Sequence, residues 1–407
     1  MKNKYTPALI VLTSLFFMWG LITSLNDILI PYLKALFELS YFEAMLIQFC
    51  FFGAYFVMSF PSGFLVEKVG YRKGIIIGLL VAGAGCLGFY PAASQHVYAF
   101  FLISLFVLAS GITLLQVAAN PYVAILGDPA TAASRLNLTQ AFNSLGTTVG
   151  PWVGSVLILS IVSTARDASA VQLPYLILAG SLVIIALVFA QFRLPTVSAG
   201  GPSIDAPSAT EAAVSVWRHR SLVLGAVAIF VYVGAEVTIG SFLVNFIAQP
   251  DIGALTESRA GQYVSLYWGG AMVGRFIGSA VLRRVNPGTL LAFNAACAIV
   301  LLVITMSTHG ATAMYAVLAV GLFNSIMFPT IFTLGIAHLG RHTGEGSGVL
   351  CMAIIGGAIV PLMAGYVADL SGIAVAFTVP AVCYAYIVYY GLKGHQESTV
   401  SHAIPEH

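Results

Sequence analysis

The chain has 407 residues, of which 59% are hydrophobic and only 8% are charged. A water-soluble globular protein carries about 25% charged residues, because its surface has to be solvated. Composition therefore excludes an ordinary soluble protein, and a scattered net charge of +2 excludes a nucleic-acid-binding surface. Most of the protein surface has to face lipid.

Apolar runs of about 20 residues, the length that crosses the hydrocarbon core of a bilayer, recur along almost the whole sequence. Clusters of Gly, Pro and charged residues separate these runs and indicate where each span ends. The first run is too long for the apolar region of a signal peptide, so we expect it to remain as the first span. The predicted spans are 7–33, 42–66, 73–92, 96–126, 134–161, 172–192, 220–248, 258–282, 288–308, 311–338, 343–369 and 371–392.

A polar stretch rich in Pro, Ser, Ala and Gly interrupts the apolar pattern after the sixth span. This composition is typical of a flexible connector. The sequence therefore predicts an all-α membrane protein of twelve spans in two bundles. We expect an N-terminal six-helix bundle at 1–192, a cytoplasmic linker at 193–219, a C-terminal six-helix bundle at 220–393 and a cytoplasmic tail at 394–407.

The distribution of Lys and Arg predicts the orientation, because basic residues next to spans are retained in the cytoplasm. With both termini inside, thirteen of the seventeen basic residues lie in predicted cytoplasmic segments. The outside loops hold only Lys34, Arg166 and Arg259, and Arg275 lies within the eighth span. We therefore expect both termini to be cytoplasmic.

The two halves repeat each other in the spacing of polar residues and prolines. In the fourth span Gln116 precedes Pro121 by five residues. In the tenth span Asn324 precedes Pro329 by the same offset. A Gly five residues before a Pro likewise marks both the fifth and the eleventh spans. Repeats of this kind predict two homologous bundles with a binding site between them, and make Asn324 a candidate for that site.

The loop between the second and third spans has the pattern Gly-x-Leu-x-Glu-x-x-Gly-x-Arg-Lys, with Gly63, Glu67, Gly70 and Arg72 at its fixed positions. It resembles the loop signature of the major facilitator superfamily. The glycines permit a close helix approach and a tight turn, and Glu67 can engage basic groups or a helix terminus. We expect these residues to serve gating and not substrate contact.

Two acids lie well inside apolar spans, Asp27 in the first and Glu236 in the seventh. A charge at the bilayer centre costs about 2.5–3.5 kcal/mol on insertion scales, so such residues usually face a cavity, pair or titrate. A carboxyl group in a dry cavity can be neutral when it is exposed to one side of the membrane, and can give up its proton or bind a cation when it is exposed to the other. Asp27 and Glu236 are therefore the candidates for cation coupling, and a structural role is the alternative for each.

Amide side chains follow the fourth and fifth spans at helical spacing. An amide offers a donor and an acceptor on one rigid group, which suits sugar hydroxyls. The alternative is that these amides hold helices together. An aromatic ring can also stack on the apolar face of a pyranose. The candidates for substrate binding are Asp27, Asn26, Gln116, Asn120, Gln140, Asn143, Asn324 and Trp268.

Several kinds of chemistry lack the residues that they need. The five cysteines lie in apolar segments without a metal-ligand or disulfide spacing. All eight histidines fall in predicted loops, tails or span ends, which argues against a proton relay and a membrane metalloenzyme. No phosphate-binding glycine loop is present, so ATP is not the expected energy source. We expect neither an enzyme, a metal site nor a cofactor.

Three motifs taken together resemble the fucose/glucose/galactose branch of the major facilitator superfamily. They are residues 25–31 in the first span, 116–122 in the fourth and 135–144 in the fifth. The resemblance implies a twelve-helix sugar:cation symporter of a bacterial inner membrane, in which a first-span Asp takes part in coupling and sugar binding. It also implies that fifth-span Gln and Asn line the cavity.

The resemblance implies an acid in the fourth span of the fucose permeases, and Gln116 stands at that position here. In the seventh span the fucose permeases look to have Gln, where this chain has Glu236. This combination is closer to the bacterial glucose/galactose transporters. We therefore expect a hexose symporter of the glucose/galactose type, coupled to Na⁺ or H⁺ and functional as a monomer in the lipid bilayer. The alternatives are an L-fucose or N-acetylglucosamine proton symporter, a multidrug exporter, and a sugar sensor without transport.

Overall fold

A computed structural model describes residues 6–36, 41–95, 97–154, 172–191, 216–337 and 339–396. Within these ranges, the side chains of residues 25–36, 41–46, 48, 151–154 and 257–258 are not described. The predicted linker and tail lie mainly outside the described residues.

The described part of the N-terminal half contains six long helices. They are α1 (Thr6–Leu36), α2 (Tyr41–Val69), α3 (Tyr71–Gln95), α4 (Tyr98–Ile125), α5 (Ala132–Gly154) and α6 (Gln172–Gln191). A short 3₁₀ turn at Pro129–Thr131 joins α4 to α5. The predicted spans of this half are confirmed within a few residues over the described ranges.

The C-terminal half begins with three long helices and ends with three pairs of shorter ones. The long helices are α7 (Arg220–Ala248), α8 (Glu257–Val281) and α9 (Pro287–Ser307). The pairs are α10 (Gly310–Asn324) with α11 (Met327–Ile336), α12 (Thr343–Met352) with α13 (Gly356–Ser371), and α14 (Ile373–Ala376) with α15 (Thr378–Tyr389). Each of the last three predicted spans is therefore interrupted, whereas the sequence analysis expected continuous helices.

Local chemistry explains where several helices begin or end. Gly70 has a φ of +83°, a left-handed conformation that favours glycine and lets the chain turn sharply between α2 and α3. The Asn286 side chain caps α9 by accepting hydrogen bonds from the backbone N–H groups of Gly288 and Thr289, at 2.9 and 3.2 Å. Pro287 at the first helical position has no N–H that would be left unpaired there.

Ten helical segments of the described chain are long and apolar enough to cross a membrane. The described residues contain helices, turns and loops but no strand. A helix satisfies all its interior backbone hydrogen bonds within itself, which is what the hydrocarbon region requires. Length, composition and secondary structure together identify a multi-pass membrane protein.

Helices α3 and α4 approach each other closely because glycines face backbone across the contact. A Cβ atom added to Gly85 would lie 2.3 Å from the Leu108 backbone nitrogen. A Cβ atom added to Gly111 would lie 2.3 Å from the Ala82 nitrogen. Small residues at such a contact allow the van der Waals packing that holds helices together in lipid.

Each half packs mainly within itself, and the two halves meet mainly along four helix pairs. In the N-terminal half, α1 packs on α5, and α3 packs on both α4 and α6. In the C-terminal half, α8 and α9 pack on α10, and α7 packs on both α13 and α15. Between the halves, α2 and α4 contact α12, while α5 contacts α8 and α11. These pairs form one seam, at the end of the molecule that carries the α2–α3, α4–α5, α8–α9 and α11–α12 connections; we call it the closed end.

The Gly85→Ala substitution should destabilise the protein, because the added methyl group would overlap the α4 backbone. Overpacking of this kind costs about 1–3 kcal/mol. Gly180→Ala on α6 is the matched control, since no atom lies within 4 Å of a Cβ added there. It should be neutral or stabilising by about 0.5–1 kcal/mol, the helix preference of Ala over Gly. Thermal unfolding of the purified variants in detergent measures both, and equal melting temperatures would contradict the proposed packing.

Candidate functional site

Buried amide side chains from α4 and α5 form a hydrogen-bonded cluster in the N-terminal half. The Gln116 amide donates to the Tyr55 hydroxyl at 2.7 Å, and the Gln140 amide donates to the Asn120 side-chain oxygen at 3.3 Å. The Asn143 amide donates to the Phe16 carbonyl of α1 at 3.0 Å. The structure therefore joins Gln140 to Asn120 directly, and ties Gln116 and Asn143 to other helices of the same half.

The C-terminal half contains a matching arrangement around Asn324. The Asn324 amide donates to the Tyr267 hydroxyl at 2.7 Å, as Gln116 does to Tyr55. All four side chains are buried. The internal repeat thus extends from sequence spacing to a shared contact, with one amide and one tyrosine hydroxyl in each half.

Several polar atoms in the two clusters have no hydrogen-bond partner among the described residues. These buried atoms include the side-chain oxygens of Gln116 and Asn324 and the side-chain nitrogen of Asn120. Leaving a buried donor or acceptor unsatisfied costs about 1–3 kcal/mol. Among the described residues, two acceptors and one donor of the amides are thus buried without a partner, and the Tyr384 hydroxyl beside Asn324 is a further unpaired group.

Prolines release two backbone carbonyls beside the amides. A proline has no N–H, so the carbonyl four residues before it loses its helical partner. Pro121 in this way frees the Val117 carbonyl, which accepts a hydrogen bond from the Ser347 hydroxyl of α12 at 2.9 Å. Pro329 in the same way frees the Ser325 carbonyl, which accepts a hydrogen bond from the Arg275 guanidinium at 3.0 Å.

Glu236 lies on α7 beside the C-terminal cluster. Its carboxylate accepts a hydrogen bond from the Tyr232 hydroxyl at 2.8 Å, and the same hydroxyl lies 3.1 Å from the Asn324 carbonyl. The positive charge of Arg275 acts on this carboxylate. Arg275 also donates to the Ser144 hydroxyl of α5, which belongs to the other half. The arrangement can therefore hold or exchange a proton beside the buried amides.

Asp27 and Asn26 lie on α1, but their side chains are outside the described part of the chain. Their helix packs tightly on α5, since a Cβ atom added to Gly20 would lie 2.0 Å from the Asn143 carbonyl oxygen. Asp27 follows Gly20 by two helical turns. The backbone thus places the first-span acid on the helix that borders the α5 amides.

Trp268 lies next to the C-terminal cluster without joining its hydrogen bonds. Its ring makes an edge-on contact with Tyr267, with centroids 5.1 Å apart, and 42% of its surface is exposed. One ring atom lies 3.3 Å from the position of a Cβ atom on Gly240. The ring is partly exposed, and its stacking on a sugar stays a prediction.

The predicted gating loop lies at the closed end. The Glu67 carboxylate accepts a hydrogen bond from the Glu345 backbone N–H at 2.9 Å, in the first turn of α12. This position is where a helix favours negative charge. Arg72 donates to the carbonyls of Phe189 and Ala190 at the end of α6. Glu67 thus ties the two halves together, while Arg72 ties two helices of one half.

Glycines and small hydroxyl residues complete the seam. A Cβ atom on Gly63 would lie 3.0 Å from the Gly344 carbonyl oxygen, so the α2–α12 contact requires a small residue. Ser134 and Ser279 each donate to the backbone carbonyl of the other, at 2.6 and 3.0 Å. The halves are therefore held by hydrogen bonds that a separation of α5 from α8 must break.

One group at the closed end has the composition of a metal site. Ligand atoms of Glu67, His342 and Glu345 all lie within 4.8 Å of one another. The His342 ring nitrogen lies 3.5 Å from the Glu345 carboxylate, and Glu67 already accepts the Glu345 backbone N–H. These contacts account for the cluster as part of the seam.

A family model described as the Major Facilitator Superfamily matches residues 10–354. The chain belongs to the Major Facilitator Superfamily. A glucose/galactose transporter of Brucella abortus biovar 1 (strain 9-941) is 59% identical over 97% of this chain and 95% of that relative. The L-fucose-proton symporter of Escherichia coli (strain K12) is 35% identical over 98% of this chain and 95% of its own length.

A solved structure of the same superfamily has the same fold. The crystal structure of the transporter FucP in the outward conformation aligns with a TM-score of 0.87 and 34% sequence identity. The alignment covers 97% of this chain and 100% of that chain. The predicted all-helical major facilitator fold and the predicted family branch are confirmed.

The structure adds residues to the site that the sequence analysis did not select. Tyr55, Tyr232 and Tyr267 hold the amides and Glu236, and Arg275 with Ser144 connects the halves. Aromatic residues make up 12% of the chain, so a tyrosine in a span carries no signal by itself. A basic residue inside an apolar span does carry one, and it could have identified Arg275.

A cysteine pair should report the closed end directly. The Ser134 and Ser279 hydroxyl oxygens lie 3.4 Å apart, so cysteines at both positions should cross-link on oxidation or with a short bismaleimide. The five native cysteines are replaced first, and a protease site in the linker separates the halves. The cross-linked double variant should stay at full length on a denaturing gel after cleavage, whereas each single variant should separate. Separation of the double variant would contradict the observed seam.

Proposed function

We propose that the protein is a secondary active symporter that imports a hexose of the glucose/galactose type by alternating access. The observation that carries this proposal is the pair of buried amide clusters with free acceptors at Gln116 and Asn324 and a free donor at Asn120. Such groups pair with the hydroxyls of a monosaccharide. The 59% identity with a protein named as a glucose/galactose transporter supports the same substrate class.

The sugar binds between two moving bundles in this proposal. Residues 1–192 and 220–393 form the bundles, 193–219 the linker and 394–407 the tail. The dominance of contacts within each half, with one seam between them, supports this division. Rocking of one bundle against the other around a fixed site is the usual mechanism of such repeats. The protein works as a monomer, because each copy supplies both halves of the site.

The closed end faces the cytoplasm, and the site is open to the outside. Basic residues crowd this end, which favours its retention in the cytoplasm. They are Lys68, Arg72, Lys73, Arg283, Arg284 and Arg341. The likeness to FucP in the outward conformation supports the same assignment. Both termini are then cytoplasmic, and the membrane is the bacterial inner membrane.

The gate and the coupling site have separate residues. Gly63, Glu67, Gly70 and Arg72 stabilise the closed end and make no contact with the sugar. Asp27 and Glu236 are the acids that bind the coupling cation, either H⁺ or Na⁺. The proton coupling in the name of the 35% identical symporter favours H⁺. Asn26, Gln140, Asn143 and Trp268 complete the sugar site with the three amides above. The transport cycle requires no enzymatic step or resident cofactor.

A second candidate substrate is L-fucose, which the relative of 35% identity carries according to its name. Purified protein in liposomes distinguishes the candidates by counterflow. Vesicles loaded with glucose, galactose, mannose, L-fucose or N-acetylglucosamine are diluted into tracer, and exchange should be fastest with glucose or galactose. Faster exchange with L-fucose would select the second candidate, and no exchange with any of the five would refute hexose transport.

The Asp27→Asn variant should lose concentrative uptake while sugar exchange continues. An amide keeps hydrogen-bonding capacity but cannot titrate or bind a cation through charge. Accumulation of labelled galactose against a gradient and counterflow at equal concentrations measure the two activities separately. Undiminished accumulation by Asp27→Asn would show that the coupling cation binds elsewhere.

The Asn324→Ala variant should weaken sugar binding by roughly 5- to 30-fold, which corresponds to about 1–2 kcal/mol for a lost hydrogen bond. Asn294→Ala is the matched control, since the Asn294 amide is also buried and, among the described residues, donates to the Leu290 carbonyl of its own helix. Titration of galactose by calorimetry gives both affinities. Equal losses in the two variants would remove Asn324 from the site.

A further inference from the structure

The start of α7 and the end of α15 meet at the closed end of the C-terminal half. The Tyr390 hydroxyl, just after α15, donates to the Ser221 carbonyl in the first turn of α7 at 3.1 Å. The Arg220 guanidinium donates to the Tyr389 hydroxyl at 3.2 Å. These two contacts join the first and the last spans of this half.

This junction carries permanent positive charge. Arg218, Arg220 and Lys393 all have exposed side chains. The sequence of neither element contains an acid near the junction, since 216–235 and 378–396 have no Asp or Glu. The helix α7 also begins here, and the N-terminus of a helix favours negative charge. The junction therefore attracts anions from its surroundings.

Large apolar side chains are exposed on the same two elements. Trp217 is 50% exposed, in the 3₁₀ turn Val216–Arg218 that leads into α7. Tyr389 and Leu392 are 40% and 50% exposed at the end of α15. Trp and Tyr are enriched where a span reaches the lipid headgroups. A soluble anion would leave these side chains in water, whereas a phospholipid covers them with its glycerol and acyl groups.

We propose that this junction binds the phosphate headgroup of an anionic phospholipid. We call it the interfacial patch and define it as Trp217, Arg218, Arg220, Tyr389 and Lys393. The closed end is the one assigned above to the cytoplasm, so the lipid belongs to the leaflet whose anionic headgroups attract basic segments next to spans. The binding does not depend on which substrate the protein transports.

Ordinary side-chain chemistry accounts for the recognition of a phosphate. Arginine presents its N–H groups in a planar fork that matches two phosphate oxygens. Arg218 and Arg220 supply two such forks, and Lys393 adds a third positive charge from α15. A lipid bound to all three bridges the first and last spans of the C-terminal half. It should therefore stabilise the folded protein, as any ligand of the folded state does.

Purified full-length protein in detergent tests the proposal in mixed micelles of stated lipid. Phosphatidylglycerol should raise the melting temperature, whereas phosphatidylcholine, whose headgroup has no net charge, should not. Each basic residue strengthens binding to an anionic lipid surface roughly fivefold. The double variant Arg218→Gln with Arg220→Gln should therefore need roughly 10- to 30-fold more phosphatidylglycerol for the same rise in melting temperature.

The double variant Lys68→Gln with Lys73→Gln is the matched control. Both lysines are exposed on either side of the α2–α3 connection, at the same closed end but in the other half. This variant removes the same number of positive charges, and it should keep the phosphatidylglycerol response of the unaltered protein. Equal losses in the two double variants would assign the response to general surface charge and overturn the proposal.

Brominated lipids locate the binding site, because bromine on an acyl chain quenches the fluorescence of a nearby tryptophan. The chain has four tryptophans, of which Trp217 belongs to the interfacial patch. Brominated phosphatidylglycerol should quench more strongly than brominated phosphatidylcholine, and Trp217→Phe should remove this difference. A difference that persists in Trp217→Phe would place the anionic lipid elsewhere.

Inorganic phosphate separates a lipid from a soluble anion. At the same concentration it should give no comparable rise in melting temperature, and a rise equal to that with phosphatidylglycerol would overturn the lipid assignment. No rise with phosphatidylglycerol, or an equal rise with phosphatidylcholine, would refute the proposal. If the arginine double variant does not fold, Lys393→Gln decides, with an expected loss of roughly fivefold. None of these measurements involves sugar, so their outcome is independent of the proposed transport.

Discussion

The absence of water inside a membrane leaves every interrupted helix with a carbonyl that needs a donor, and this constraint organises the centre of the molecule. Prolines in α4 and α11 remove the helical partners of the Val117 and Ser325 carbonyls. Ser347 satisfies the first and Arg275 the second. These donors lie beside the amides because Gln116 immediately precedes Val117 in the sequence, and Asn324 immediately precedes Ser325. Binding groups and helix contacts are thus set by the same prolines.

The repeat that gives both halves an amide and a tyrosine does not give them the same chemistry. Gln116 and Asn324 occupy corresponding places, each bonded to a tyrosine hydroxyl and each with a free oxygen. The buried acid with its arginine stands only beside Asn324 in the described chain. In the described chain the amide–tyrosine contact is therefore common to both halves, whereas the buried acid with its arginine is found in the C-terminal half.

The sequence predicted the parts of the site whose chemistry is rare in lipid. Glu236 was found because a carboxylate in an apolar span is expensive, and Gln116, Gln140 and Asn143 because amides recurred at helical spacing. Tyr55 was missed, and Tyr267 was considered for stacking but not selected, because a tyrosine also serves membrane interfaces and ordinary packing. The Arg275–Ser144 contact joins residues 131 positions apart, which no local pattern encodes. The break between α10 and α11 after Asn324 was missed. Pro329 lies in the first turn of α11, and the sequence alone does not distinguish such a proline from one tolerated inside a longer membrane helix.

The two carbonyls freed by prolines, those of Val117 and Ser325, receive their hydrogen bonds from different halves of the molecule. This difference bears on which conformation the unloaded transporter prefers. Ser325 is satisfied from its own half and keeps its partner throughout the cycle, but Val117 depends on Ser347 across the seam. Opening of the closed end, which we propose faces the cytoplasm, separates Ser347 from the Val117 carbonyl, so that water has to reach α4 to satisfy this carbonyl. The inward-facing state therefore contains more ordered water than the outward-facing one. Osmotic stress, which lowers water activity, works against the inward-facing state and draws an unloaded transporter back toward the outside.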